Sequence, residues 1–173
     1  MLSRTLLALS LCLALGGCWQ SDVLLLDPAA GVRALPDGTW VKVGEAPTEP
    51  QSIVWKGGGW YELQDEGDIV AFTLTPLGTI GGRQAYAGAM AEDGCQNGNN
   101  DDCEWDYGVV FVENGQALVA APDCKKTAAL AQEFGAAPAQ GGDVCSFSSG
   151  DRLKAALAEF AKAPGKLDRY VKR

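Results

Sequence analysis

YGVVFVENGQALVAA, residues 107–121, decides the fold. Two runs rich in β-branched and aromatic residues, 107–113 and 116–121, flank Asn114 and Gly115. Two strands joined by two residues need positive φ at both joining positions, and Asn-Gly adopts that type I′ turn at the least cost. An antiparallel hairpin is predicted here. Toward the N-terminus the same pattern recurs. Residues 83–91 (RQAYAGAMA) form a weaker strand of small residues, and residues 68–75 (DIVAFTLT) are the longest apolar strand candidate, after a turn at 65–67. Residues 60–63 follow the Gly57-Gly58-Gly59 turn, residues 52–56 follow Pro47 and Pro50, and residues 39–43 alternate in strand fashion.

C-terminal to the hairpin the period changes. KKTAALAQEF, residues 125–134, reads as a short helix stopped by Gly135. A loop over 135–142 and a short strand over 144–147 follow. Residues 149–163 form the clearest helix. Ser148 with Asp151 resembles a capping box, and Leu153, Ala156, Leu157 and Phe160 make one apolar stripe, ended by Pro164-Gly165. Several strands are apolar on both faces, so these helices are expected to cover the second face. The fold class is α+β: an antiparallel β-meander, either a curved sheet or a small barrel of about 6–8 strands, backed by two C-terminal helices.

Composition removes whole classes of function. The chain has 173 residues, enough for one domain, and 47% of them are hydrophobic. A net charge of −8 argues against nucleic-acid binding, which needs a basic face. The absence of histidine excludes Ser-His, Cys-His and His-metal mechanisms. No catalytic residue, cofactor or metal ligand set is expected. Ser148 and Ser149 lie near Lys154 without Ser-x-x-Lys spacing, and no glycine-rich run has the form of a phosphate loop.

The N-terminus is an address. Arg4 precedes an apolar run of eleven residues, 5–15, long enough for a signal peptide and too short to span a membrane. Leu15-Gly16-Gly17-Cys18 follows. This segment resembles the lipobox of bacterial lipoproteins. The resemblance implies cleavage between Gly17 and Cys18 and lipidation of Cys18, so that two or three acyl chains hold the protein to a bilayer. It divides the chain into a signal peptide (1–17), a lipidated N-terminus and short tether (18–38) and one globular domain (39–173). Trp19 is not the Asp of enterobacterial inner-membrane retention, which favours the outer over the inner membrane, facing the periplasm.

Export places the remaining cysteines in an oxidising compartment. Cys95, Cys103, Cys124 and Cys145 are expected to pair as Cys95–Cys103 and Cys124–Cys145. Their spacings match neither redox nor zinc motifs.

Three further features were weighed. Residues 92–106 (EDGCQNGNNDDCEWD) hold six carboxylates and suggest calcium, but Asp102 and Gly108 occupy positions where an EF-hand needs Gly and Glu. A solvated loop is the plainer reading. Residues 152–173 carry seven of the fourteen basic residues. Lys162, Lys166, Arg169, Lys172 and Arg173 could meet anionic lipid, with Leu167, Tyr170 and Val171 as apolar contacts; a polar helix face and frayed tail is the plainer reading. Trp40, Trp55, Trp60, Trp105 and Tyr61 could line a ligand surface, though strand aromatics more often fill a core.

In outline the protein is similar to bacterial lysozyme-inhibitor lipoproteins, which dock on host enzymes, and no residue role is carried over from them. The expected function is a non-enzymatic binding or scaffolding domain, with an envelope protein as a possible partner. A carboxylate-based hydrolase of envelope polymers and a small-ligand carrier are the competing readings.

Overall fold

Asn114 and Gly115 both hold positive φ, 49° and 73°, and the hairpin turns between them. Its arms are β7 (Trp105–Glu113) and β8 (Gln116–Ala120). The computed structural model describes residues 18–44, 50–65, 67–91 and 103–173. Here β2 (Gly38–Val43), β3 (Gln51–Gly57), β4 (Trp60–Asp65), β5 (Asp68–Ile80) and β6 (Arg83–Ala91) each pair antiparallel with the next, and β6 pairs with β7. The ring closes through β11 (Asp168–Lys172), antiparallel to both β8 and β2. The expected meander is thus a closed eight-stranded antiparallel barrel, and closure removes the edges an open sheet would expose.

The closing strand corrects the reading of the C-terminus as a frayed tail. Tyr170 and Leu167, both half-buried, pack against the barrel core and the helical layer, so each has part of its side chain committed to the fold. Arg169 and Lys172 are the exposed residues of this strand, which is why it reads as a polar tail.

Between β8 and β11 the chain forms α1 (Cys124–Glu133), β9 (Ala137–Ala139), β10 (Val144–Ser146) and α2 (Gly150–Phe160). Both helices lie close to their predicted bounds. The cap of α2 is Ser149, one residue later than expected, its side chain accepting from the amide of Arg152. The pairing Cys124–Cys145 is present and ties α1 to β10. At a sequence separation of 21, cross-linking stabilises by roughly 3 kcal/mol through the unfolded chain. Cys103 is also disulfide-bonded, and its expected partner Cys95 lies outside the described residues.

Two apolar layers result. One fills the barrel with Trp40, Ile53, Trp55, Tyr61, Phe72, Leu74 and Tyr86. Tyr61 stacks on Phe72 at 4.8 Å and meets the edge of Trp55 at 4.8 Å. The other layer lies outside β6 and β7. Ala85, Ala87, Ala89 and Ala91 face outward, and Leu153, Ala156, Leu157 and Phe160 of α2 belong to the same cluster. Alanine is small, so a helix can lie close on that face. The residues that made β6 look weak as a strand are those that seat the helical layer.

The segment expected to be a tether, 18–38, is instead built into the domain. β1 (Trp19–Ser21) pairs antiparallel with β7 and parallel with β10. Trp19 is fully buried (0% exposed), and Leu26 and Leu35 are buried as well. A three-residue strand is too short to show a period, so its burial was invisible in the sequence. Farther on, Pro28–Ala30 crosses the β3–β4 turn so closely that a Cβ on Gly59 would lie 1.7 Å from the Pro28 carbonyl oxygen. The chain then packs Leu35 against the barrel core, where the Tyr61 hydroxyl accepts from the Leu35 amide at 2.8 Å and donates to its carbonyl at 3.1 Å.

Tyr107 plays the matching part in the outer layer. Its hydroxyl meets Ser21 at 2.7 Å and the Leu25 amide at 3.0 Å. Burial pushes the pKa of both tyrosines up, against the opposing effect of their hydrogen bonds. The unfolded chain ionises its tyrosines near pH 10 while the folded chain holds these two protons longer. Their contribution to stability is complete below about pH 10 and is lost as pH rises through the raised values. Urea unfolding between pH 9 and about pH 11.5 is expected to show a steep loss that is shallower in a Tyr61→Phe, Tyr107→Phe double variant. Equal slopes would refute the assignment.

Candidate functional site

Along β4, Trp60, Glu62 and Gln64 alternate with Tyr61 and Leu63. A strand period of two sends the second pair into the barrel core and the first three to the outer surface. On the neighbouring strand the register shifts between Trp55 and Gly57, which makes Lys56 a bulge residue. A bulge re-aims its side chain. The Lys56 ammonium reaches across to Glu62, Nζ to Oε2, at 3.3 Å.

Glu62 is held from two sides. Its Oε1 accepts from Gln64 Nε2 at 2.9 Å. The Gln64 hydrogen bond, joined by the Lys56 ammonium, holds the carboxyl below the usual range against the opposing effect of burial. Glu62 is therefore an anion at neutral pH. Lys56, Gly57, Trp60, Tyr61, Glu62, Ile69 and Ala71 together line an open groove of about 430 Å³.

Trp60 also leans on Trp105, ring centroids 5.9 Å apart. In the register Trp60 lies opposite Thr73, and Thr73 opposite Ala89. Trp105 lies opposite Ala91, so the β5 and β6 residues beside the two tryptophans are small and leave room for the indoles to meet. Trp60 is half-buried, whereas Trp40 and Trp105 are buried, and Trp55 packs against the barrel core. Core filling therefore accounts for most of the aromatic set; Trp60 and Tyr61 are the members at the groove, and Trp60 is its tryptophan.

Cys18 is buried, carries a free thiol and lies directly before β1; its carbonyl accepts from the Cys145 amide at 3.1 Å. Trp19 pairs with Tyr107 and Ala120 with Val109, so β1 takes over along β7 where β8 stops. That puts Cys18 at the β7–β8 seam. In a ring ordered β6-β5-β4-β3-β2-β11-β8-β7, the opposite seam is β3–β4, where Lys56 and Glu62 meet.

The other candidates do not gather at the groove. Lys162 pairs with Glu159, and Lys166 with Asp168 at 3.5 Å. Ser149 is committed to capping α2. Residues 92–102 of the acidic segment, and residues 1–17 with the expected signal peptide and its Gly17, lie outside the described residues. Among the described residues no three His, Cys, Asp or Glu side chains converge on a metal position, and no helix is long and apolar enough to cross a membrane.

Sequence reading missed Lys56, Glu62 and Ile69 as groove residues, and Gln64 as the donor that holds Glu62. The alternation Trp60-x-Glu62-x-Gln64 was visible, but a period of two does not say which face is outside. The bulge that turns Lys56 leaves no mark in composition. Compared with protein-family models, curated proteins and solved structures, the chain matches none.

Proposed function

We propose that the protein is a bacterial envelope lipoprotein, cleaved between Gly17 and Cys18 and held to the bilayer by acyl chains on Cys18. On this reading its barrel is a non-enzymatic binding or scaffolding module facing the periplasm, with the outer membrane the favoured site. The observation that carries the reading is the join between the lipobox cysteine and β1. The residue next to Cys18 is fully buried in the sheet, so the anchor would attach to the body of the domain with no slack.

The state of the barrel interior supports a module over a small-ligand carrier. Eight strands enclose a space that side chains can fill, and here Trp40, Tyr61, Phe72 and Leu74 occupy it with Leu35 added from outside the ring. The groove supports binding over carboxylate hydrolysis, because its Glu62 faces a lysine and an amide.

The test is a Cys18→Ser variant produced beside the native chain. Native protein is expected in the membrane fraction with the mass of a chain beginning at Cys18 plus acyl chains. The variant is expected to lack that mass and leave the membrane. Identical mass and fractionation for the two would refute the anchor. Crosslinking in cells, with the same variant as control, tests the scaffolding half: a partner recovered only with the anchored form supports it.

A further inference from the structure

We infer that the groove on β3, β4 and β5 binds a neutral saccharide chain. This rests on the binding-module reading and names the ligand class for its groove. One wall is the indole of a half-buried tryptophan, Trp60. Indoles suit surfaces that are apolar on one side and wet on the other, and the axial C–H face of a sugar ring is such a surface. Next to it stands a carboxylate kept ionised and in place by Gln64 and Lys56. Sugar hydroxyls donate to carboxylates in charge-assisted hydrogen bonds, which are stronger than neutral ones.

Charge balance argues against an anion. The one ammonium that lines the groove is already matched by the one carboxylate, 3.3 Å away. A phosphate or sulfate would have to break that pair. Shape argues against a buried lipid tail: the groove is open along the sheet face, and its aliphatic side chains are Ile69 and Ala71. Lys56 is 53% exposed and Glu62 23%, so both remain within reach of a ligand lying across them.

The experiment titrates the purified full-length protein, as cells produce it, with a tetramer of N-acetylglucosamine, followed by tryptophan fluorescence and calorimetry. Cellotetraose and a sulfated oligosaccharide are run in parallel. Saturable binding of a neutral tetramer is expected at up to millimolar concentration. Trp60→Ala and Glu62→Gln are each expected to weaken it about 10-fold or more. Trp60→Phe, which keeps an aromatic ring on Trp105, guards against a folding artefact and is expected to retain partial affinity.

The proposal is overturned if neither neutral tetramer saturates at millimolar concentration. It is overturned equally if binding survives unchanged in both groove variants, or if the sulfated oligosaccharide binds more tightly than the neutral ones. Crosslinking with the anchored form is read separately. A recovered partner with no sugar binding removes the ligand class alone, and failure of both removes the binding-module reading too.

Discussion

A chain ending at Ala163 is expected to lose its cooperative unfolding transition. The truncation removes β11, which pairs with Leu118 and Ala117 of β8 on one side and with Val43, Lys42, Val41 and Trp40 of β2 on the other. Two sheet edges open at once. Tyr170 leaves the barrel core, where it packs with Trp40 and Ala117. Asp168, whose carboxylate lies 3.0 Å from the Lys42 ammonium, goes with it; the Lys42 side chain is only 15% exposed. Truncating a fully buried aromatic costs about 3–5 kcal/mol, and the half-buried Tyr170 falls below that range. Added ladder bonds and the lost ion pair bring the total to the scale of a whole domain's stability, about 5–15 kcal/mol. Circular dichroism and calorimetry of native and truncated chains check this. A truncated chain melting within a few degrees of the native one would show that β11 is dispensable and the ring not closed in solution. An isolated Tyr170→Ala variant separates packing from closure, since it leaves the ladder intact.

That strand is also where sequence reading failed most. Asp168 to Lys172 reads DRYVK, with one large aromatic among four residues that are charged or small. Its alternation spans too few residues to register, and half of its partners, on β2, lie more than a hundred positions earlier. Closure is a long-range event and leaves no local pattern. The hairpin over β7 and β8 was legible for the opposite reason, because the backbone angles required of Asn114 and Gly115 are a local property. The α2 stripe was legible too, as Leu153, Ala156, Leu157 and Phe160 share one helix face whatever they pack on. For β6 the strand was found but its meaning was not. Its alanines give it little strand propensity, and facing outward they seat the helical layer. The groove depends on the Lys56 bulge, a register event between two strands that neither strand shows alone.

Replacing Trp19 by Ala is expected to lower the melting temperature by roughly 10 °C. Trp19 is fully buried, with ring centroids 5.1 Å from Phe147 and 5.9 Å from Phe160. Its indole donates to the Thr127 hydroxyl at 2.9 Å. One side chain therefore joins β1, α1, α2 and the segment after β10. Truncating such a side chain costs about 3–5 kcal/mol, and each kcal/mol shifts a domain of this size by about 2–4 °C. Trp19→Phe keeps most of the contact and loses the hydrogen bond, so it should cost about 1–2 kcal/mol or slightly more. A melting temperature for Trp19→Ala within three degrees of native, about 1 kcal/mol, would mean that β1 does not hold the fold. The same variant separates packing from anchoring. On the proposed processing Trp19 follows the cleavage site rather than preceding it, so the acylation of Cys18 does not depend on how the Trp19 side chain packs. Trp19→Ala should therefore carry the same acyl mass on Cys18 as the native protein while melting earlier. Loss of the acyl mass together with stability would instead show that Trp19 is read during processing, and the two roles assigned to this join would have to be merged.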